Sequence, residues 1–155
     1  MKKNIFILSG CFVLVDQLVK LLITNVLSSG NIVVIKNFFS LSLVKNTGAA
    51  WGIFSGNRWF LIIVTILSVF AIAKYFLLDL NVTKGEYIAY ILLLGGIFGN
   101  LIDRILFGYV RDYLDFNFGS YNFPVFNIAD AAIVIGVVIV VYQMVKNTIY
   151  QRSTK

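Results

Sequence analysis

Apolar residues run along the chain in four long blocks, roughly 5–27, 59–78, 87–107 and 128–145, separated by polar stretches. Each block has about 18 or more residues, and at about 1.5 Å rise per residue a helix of that length crosses a hydrocarbon core of about 30 Å. The pattern predicts four transmembrane helices. The outer connections are 28–58 and 108–127, and the first is long for a simple connection. Within the first, VVIKNFFSLSLV (Val33 to Val44) is rich in β-branched and aromatic residues with partial alternation, which reads as a small sheet. The expected fold class is therefore an all-α integral membrane protein, one domain over residues 1–155, with a small β-rich extracytoplasmic loop domain between helices 1 and 2.

Composition sharpens this picture. Hydrophobic residues make up 59% of the chain and charged residues 13%, with a mean hydropathy of +0.89, well outside the range of a soluble domain. Apolar area that faces lipid cannot drive packing, so small residues and polar bonds must do it. Gly95-Gly96-Ile97-Phe98-Gly99 has the small-residue spacing that lets helices approach closely. Lys2 and Lys3 precede the first block, Lys74 and Lys84 flank the second connection, and Lys146, Arg152 and Lys155 follow the last block. This bias places both termini and the second connection in the cytoplasm. Lys36, Lys45, Arg58 and Arg111 lie on the other side. Leu8-Ser9-Gly10-Cys11 looks like a lipoprotein processing site, but only Ile5 to Leu8 precede it and a signal core needs about 7–15 apolar residues. Cys11 reads instead as a small packing residue, and a single cysteine forms no internal disulfide.

The seven acids are more informative. Asp79 and Glu86 flank the second connection and read as solvated turn residues. Asp16 lies in the middle of the first block, Asp103 in the last turns of the third, Asp130 in the first turn of the fourth, and Asp112 and Asp115 in the connection between those two. Topology alone brings four of these five to one end of the bundle. Asp16 stands four residues before Lys20, a spacing that neutralises it within the span. Asp103 has Arg104 beside it and Asn100 on its helical face, which suits an ion pair bracing the bundle. Asp115 reads as a solvated loop acid. Asp112 has Arg111 next to it, and Asp130 suits a helix N-terminus. Asp130 nevertheless remains within an apolar surface, and acids in such places are functional by default.

With no histidine, HExxH zinc sites and Ser-His-Asp triads are excluded. Cys11 lacks a base, and Lys45 has no serine in a recognisable nucleophile setting. Two carboxylates suffice for peptide hydrolysis: in a partly dry site one keeps its proton and polarises the carbonyl while the ionised one takes a proton from water. Asp112 with Asp130 and Asp103 with Asp130 are both possible pairs. The contrasting class is a small ion or proton transporter, or a membrane binding subunit. Coupling residues of transporters lie near the midplane within repeated halves; no repeat is evident, and only Asp16 lies at that depth.

In chain order stand Asp16-Gln17 with Lys20, Asn46-Thr47-Gly48-Ala49-Ala50-Trp51-Gly52, Gly95 through Arg104, Gly108-Tyr109-Val110-Arg111-Asp112-Tyr113 and Phe126-Asn127-Ile128-Ala129-Asp130. This set resembles the lipoprotein signal peptidase (signal peptidase II) family over nearly the whole chain. The resemblance implies an aspartic endopeptidase of the bacterial inner membrane that removes the signal peptide of prolipoproteins before the diacylglyceryl-modified cysteine. By matching positions it puts the dyad on Asp112 and Asp130. Asn46, Gly48, Asn100, Asp103, Arg104 and Asn127, with Asp16 and Lys20, then support the site or bind the substrate. Trp51 and Tyr113 depart from the phenylalanines expected there, which bears on local packing. The neighbouring Arg104 makes Asp103 the weaker partner for Asp130. The substrate is lipidated, so the site belongs near the outer face, where Trp51 and Trp59 serve as interfacial anchors and the outer loop closes over the peptide. The expectation is a monomer in contact with membrane lipids, with no metal, organic cofactor or nucleic-acid partner indicated.

Overall fold

The computed structural model describes residues 2–78 and 82–153. Asp79 and Lys155, a turn acid and a terminal cation by their positions, lie outside them. The elements are α1 (Lys2–Val26), β1 (Ile32–Ile35), β2 (Phe39–Asn46), α2 (Arg58–Leu78), α3 (Lys84–Phe107), β3 (Val110–Phe118), β4 (Tyr121–Asn122) and α4 (Ile128–Ser153). All four helices are long and apolar enough to cross a membrane. Helix α1 continues unbroken through Leu8 to Cys11, whose side chain is exposed. Helix α4 continues past the predicted end at 145 as far as Ser153. A helix needs no apolar face where it emerges into water, so the apolar block marks the membrane and not the helix end.

Helix α3 is the centre of the bundle. Half of its span is buried, against 22% for α1 and 17% for α2 and α4. Glycines explain why. A Cβ on Gly95 would meet the Phe12 ring of α1 at 2.8 Å, one on Gly96 would stand 2.5 Å from the Ala129 carbonyl oxygen of α4, and one on Gly99 2.5 Å from Asp16 Oδ2. The run thus lets two helices close on α3 from different sides. Gly96→Ala is expected to cost about 1–3 kcal/mol by forcing α4 away, since backbone yields poorly. A drop of several degrees in the apparent melting temperature in detergent would register it; an unchanged value would count against this packing.

Both ends of α3 are closed locally. Thr83 caps the start: its Oγ1 accepts from the Glu86 N–H at 3.2 Å, and its own N–H donates to Glu86 Oε2 at 2.8 Å. Glu86 is therefore a buried capping residue and not the solvated turn acid that its position implies. Gly108, at φ +83°, ends the helix and returns its N–H to the Arg104 carbonyl at 3.1 Å.

The sheet corrects the all-α expectation. Its order is β1-β2-β3-β4, all antiparallel, and half of its strands come from the connection 108–127, whose pattern reads as a loop. The strands β1 and β2 fall where VVIKNFFSLSLV predicts them. Strand β3 escapes such a reading because its first four residues, Val110 to Tyr113, are buried on both faces and show no alternation. Its second half alternates, with Phe116 stacked on Phe39 at 4.6 Å and on Phe126 at 5.8 Å. The β2–β3 register sets Asp112 opposite Val44 and Val110 opposite Asn46. The chain entering α4 then folds back onto β3: Tyr113 and Leu114 donate their N–H groups to the Phe126 carbonyl at 3.0 and 2.8 Å. That bridge carries the start of α4 to the side of Asp112.

Candidate active site

The first turn of α4 is built around its own cap. Asn127 Oδ1 accepts the Asp130 N–H at 3.0 Å, and Asp130 Oδ2 accepts the Asn127 N–H at 3.1 Å. Residues three apart at a helix start satisfy each other's orphan donors in this way, and the helix dipole favours a carboxylate there. The Asn127 side chain is fully buried and also reaches the strand, where its Nδ2 donates to Asp112 Oδ1 at 2.6 Å. One capping residue therefore touches both acids. Asn46 at the end of β2 donates from Nδ2 to the other Asp112 oxygen at 2.9 Å, while its Oδ1 accepts the Gly48 N–H at 2.9 Å. Asn100 of α3 donates from Nδ2 to Asp130 Oδ1 at 2.7 Å. Each of the four carboxylate oxygens thus receives an amide N–H.

Asp112 is 1% exposed. Burial, then the nearby charge of Asp130, pushes its carboxyl up to about 7, against the hydrogen bonds of Asn46 and Asn127 and the charge of Lys20. Burial likewise raises the Tyr113 phenol to about 12. That hydroxyl stays neutral and accepts the Ile128 N–H at 3.4 Å, a role that phenylalanine cannot fill.

Behind the acids lies a buried ionic core. Lys20 Nζ is 2.9 Å from Asp16 Oδ2, 3.4 Å from Asp103 Oδ2 and 2.9 Å from Asn100 Oδ1. Asp103 also accepts three bonds from Arg111, from its backbone N–H at 2.9 Å, Nε at 3.2 Å and Nη2 at 2.7 Å. Gln17 Nε2 reaches Asp16, Asp103 and the Gly99 carbonyl, and its Oε1 accepts from Arg111 Nη2 at 2.8 Å. This core holds the acids by two arms, one through Asn100 to Asp130 and one through Arg111 to its neighbour Asp112.

An 870 Å³ cavity opens in front of them, with Asp112, Asp130, Asn100 and Arg104 at its polar end and Ile97 and Val134 further along the spans. Arg104 Nη2 donates to the Gly48 carbonyl at 2.9 Å, fixing the turn at the cavity rim. That turn needs Gly48, because a Cβ there would lie 2.8 Å from the backbone of Gly52 and Ile53. Among the described residues no three metal-binding side chains converge.

Residues 8–146 match the family described as Signal peptidase (SPase) II. This chain belongs to that family. Lipoprotein signal peptidases of Staphylococcus aureus strains JH9 and Newman are 40% identical to it over 144 residues, 92% of this chain and 88% of theirs. Two solved structures share its fold, each described as a bacterial membrane enzyme obtained by the in meso method. One has a TM-score of 0.83 at 35% identity, covering 94% of this chain and 90% of the other. The second has a TM-score of 0.81 at 35% identity, covering 93% and 94%.

In this signal peptidase II chain the structure gathers Asn46, Asn100, Asp112, Asn127 and Asp130 in direct contact, with Gly48 and Arg104 at the rim and Asp16, Lys20 and Asp103 behind. The Asp16–Lys20 pair forms as its spacing predicts. Asp103 does not pair with Arg104: consecutive helical residues point apart, and Arg104 faces the turn while Asp103 faces Arg111. Arg111 is correspondingly unavailable to Asp112. Asp115 is no free loop acid, as it sits in β3 and accepts from Ser40 Oγ at 3.4 Å. Gln17 and Arg111 are site-supporting residues that sequence reasoning misses. A polar amide in mid-span, where every polar group needs a partner, is the available signal for Gln17.

Proposed function

We propose that this signal peptidase II family member is an aspartic endopeptidase that removes signal peptides from bacterial prolipoproteins, cutting before the diacylglyceryl-modified cysteine, with Asp112 and Asp130 as its dyad. The observation that carries the reading is the set of four amide N–H groups on the four oxygens of these two acids, in a mostly apolar cavity whose wall includes Ile97, Ile133 and Val134 of the spans.

The chemistry follows from the difference between the two acids. Asp112 keeps its proton up to about pH 7 and donates it toward the scissile carbonyl oxygen. Asp130, at the positive end of α4, is the base: it takes a proton from water as the water oxygen bonds to the carbonyl carbon. The tetrahedral intermediate collapses when the proton on Asp130 passes to the leaving nitrogen, the C–N bond breaks and Asp112 recovers its proton. Gly48 and the turn held by Arg104 border the peptide, and the apolar wall receives the lipid chains. The cations Lys74, Lys84 and Lys146 cluster at the end opposite the sheet, which supports cytoplasmic termini and a site near the outer face. Exposed Trp51, which lines the cavity, and exposed Trp59, at the start of α2, then anchor at the interface, and the enzyme works as a monomer among membrane lipids.

The Asp112 carboxyl sets a pH limb. Above about pH 7 it loses its proton, both acids are charged and the carbonyl loses its donor. Cleavage is expected to fall about tenfold per pH unit on that side; kcat/KM that keeps rising into alkaline solution would refute the acid role of Asp112. The function itself is tested by purified protein in detergent with a diacylglyceryl-modified prolipoprotein and a chelator. Chelator-resistant release of the signal peptide, with the unmodified precursor left uncut, is expected. Failure of well-folded protein to cleave would overturn the reading.

A further inference from the structure

We infer that Lys20 is a positioning residue for Asp130, acting through the side-chain amide of Asn100. The inference rests on the reading of Asp112 and Asp130 as the dyad. Lys20 lies in α1, on the far side of Asn100 from the cavity, and is fully buried. Its Nζ is 2.9 Å from Asn100 Oδ1, and Nδ2 of the same amide is 2.7 Å from Asp130 Oδ1.

An ammonium has three N–H donors and no acceptor, so only the oxygen of Asn100 can face it. That leaves the amide one orientation, with its NH2 group directed at Asp130. Lys20 is held in turn by Asp16 at 2.9 Å and Asp103 at 3.4 Å, so its three donors have three partners and it cannot swing away. The other restraint on Asn100 is weaker. Asn127 Nδ2 donates to Asn100 Oδ1 at the longer distance of 3.3 Å, while its second hydrogen serves Asp112 Oδ1 at 2.6 Å. Without the ammonium only the long Asn127 bond and the bond to Asp130 remain to hold the amide, and any turn sets its carbonyl oxygen against an Asp130 oxygen, acceptor facing acceptor. The base would lose its donor and its aim toward water.

Lys20 also contributes charge. The charged and titratable groups around the dyad are Asp16 and Lys20 on α1, Lys45 on β2, Asp103 and Arg104 on α3, and Arg111 and Tyr113 on β3. Removing one cation from this set leaves Asp112 holding its proton to higher pH, so the alkaline limb of cleavage moves upward.

The deciding experiment measures kcat, KM and the pH profile of purified full-length wild type, Lys20→Met, Asn100→Ala and the double variant, each normalised to folded protein. Lys20→Met is expected to lower kcat about 30-fold or more with KM within about twofold, and to shift the alkaline limb upward. Asn100→Ala keeps both ion pairs of Lys20 and loses a similar factor. The double variant loses no more than Asn100→Ala alone, because the two residues act in series. If Lys20→Met does not fold, the same comparison is made with Asp16→Asn added, which removes the stranded carboxylate. Wild type that cleaves with Lys20→Met at full kcat and an unmoved limb, or losses that multiply in the double variant, overturns the positioning role. Wild type that does not cleave at all overturns the peptidase reading itself.

Discussion

Replacing Lys20 by methionine is expected to lower the apparent melting temperature in detergent by about 10 °C. The ammonium is fully buried between Asp16 and Asp103. Asp103 retains Arg111 when the ammonium goes, but among the described residues Asp16 retains only the Gln17 amide, and its Oδ1 has no hydrogen-bond partner among them even in the native protein. Stranding a buried charge in this way costs about 3–5 kcal/mol. For a chain of this size each kcal/mol moves the midpoint by about 2–4 °C. Adding Asp16→Asn to Lys20→Met should recover part of the loss, because the amide needs no counter-charge. Thermal unfolding followed by tryptophan fluorescence gives the comparison. A shift under about 2 °C would mean that the ionic core contributes little to stability.

Asp112→Asn and Asp130→Asn are each expected to cut the rate of prolipoprotein cleavage by at least about 10³-fold while the protein stays folded. An amide at 112 has no carboxyl proton to give the carbonyl, and an amide at 130 takes no proton from water. Neither change leaves a hole, since the side chains are nearly isosteric. The effect on stability has a definite sign at position 112. The folded carboxyl holds its proton to about 7, far above the unfolded value, so its contribution to folding is complete below about pH 4 and is lost as pH rises through about 7. Above that pH the native acid burdens the fold with a buried charge that asparagine lacks. Asp112→Asn should therefore melt no lower than wild type at about pH 8, even as its activity disappears. A variant that lost activity and unfolded together would point to a structural role instead.

Much of this is legible in the chain. The four spans follow from apolar block length, which depends only on bilayer thickness, and the Asp16–Lys20 pair follows from helical spacing. The capping pair Asn127 and Asp130 is local, three residues apart, and so is written in the sequence as well. What escapes is set by tertiary contact. The strand over Val110 to Tyr113 is buried on both faces and loses its alternation. Asp103 has a cation next to it in sequence, yet its partners are Lys20 from another helix and Arg111 from the strand beyond. Glu86 is the exception, since its cap with Thr83 is local, three residues apart, and the Thr83-x-x-Glu86 spacing marks it in the sequence despite its place beside a turn. The approach of Asp112 to Asp130, both held by Asn127, likewise depends on the bridge from Phe126 to β3, which no spacing rule announces.

The measurement that bears most directly on the dyad is the initial rate at which chelator-treated Asp112→Asn protein, checked for folding, releases signal peptide from a diacylglyceryl-modified prolipoprotein beside wild type. The expected result is rapid release by wild type and none above background by the variant. Release by Asp112→Asn at a rate near that of wild type would contradict the account.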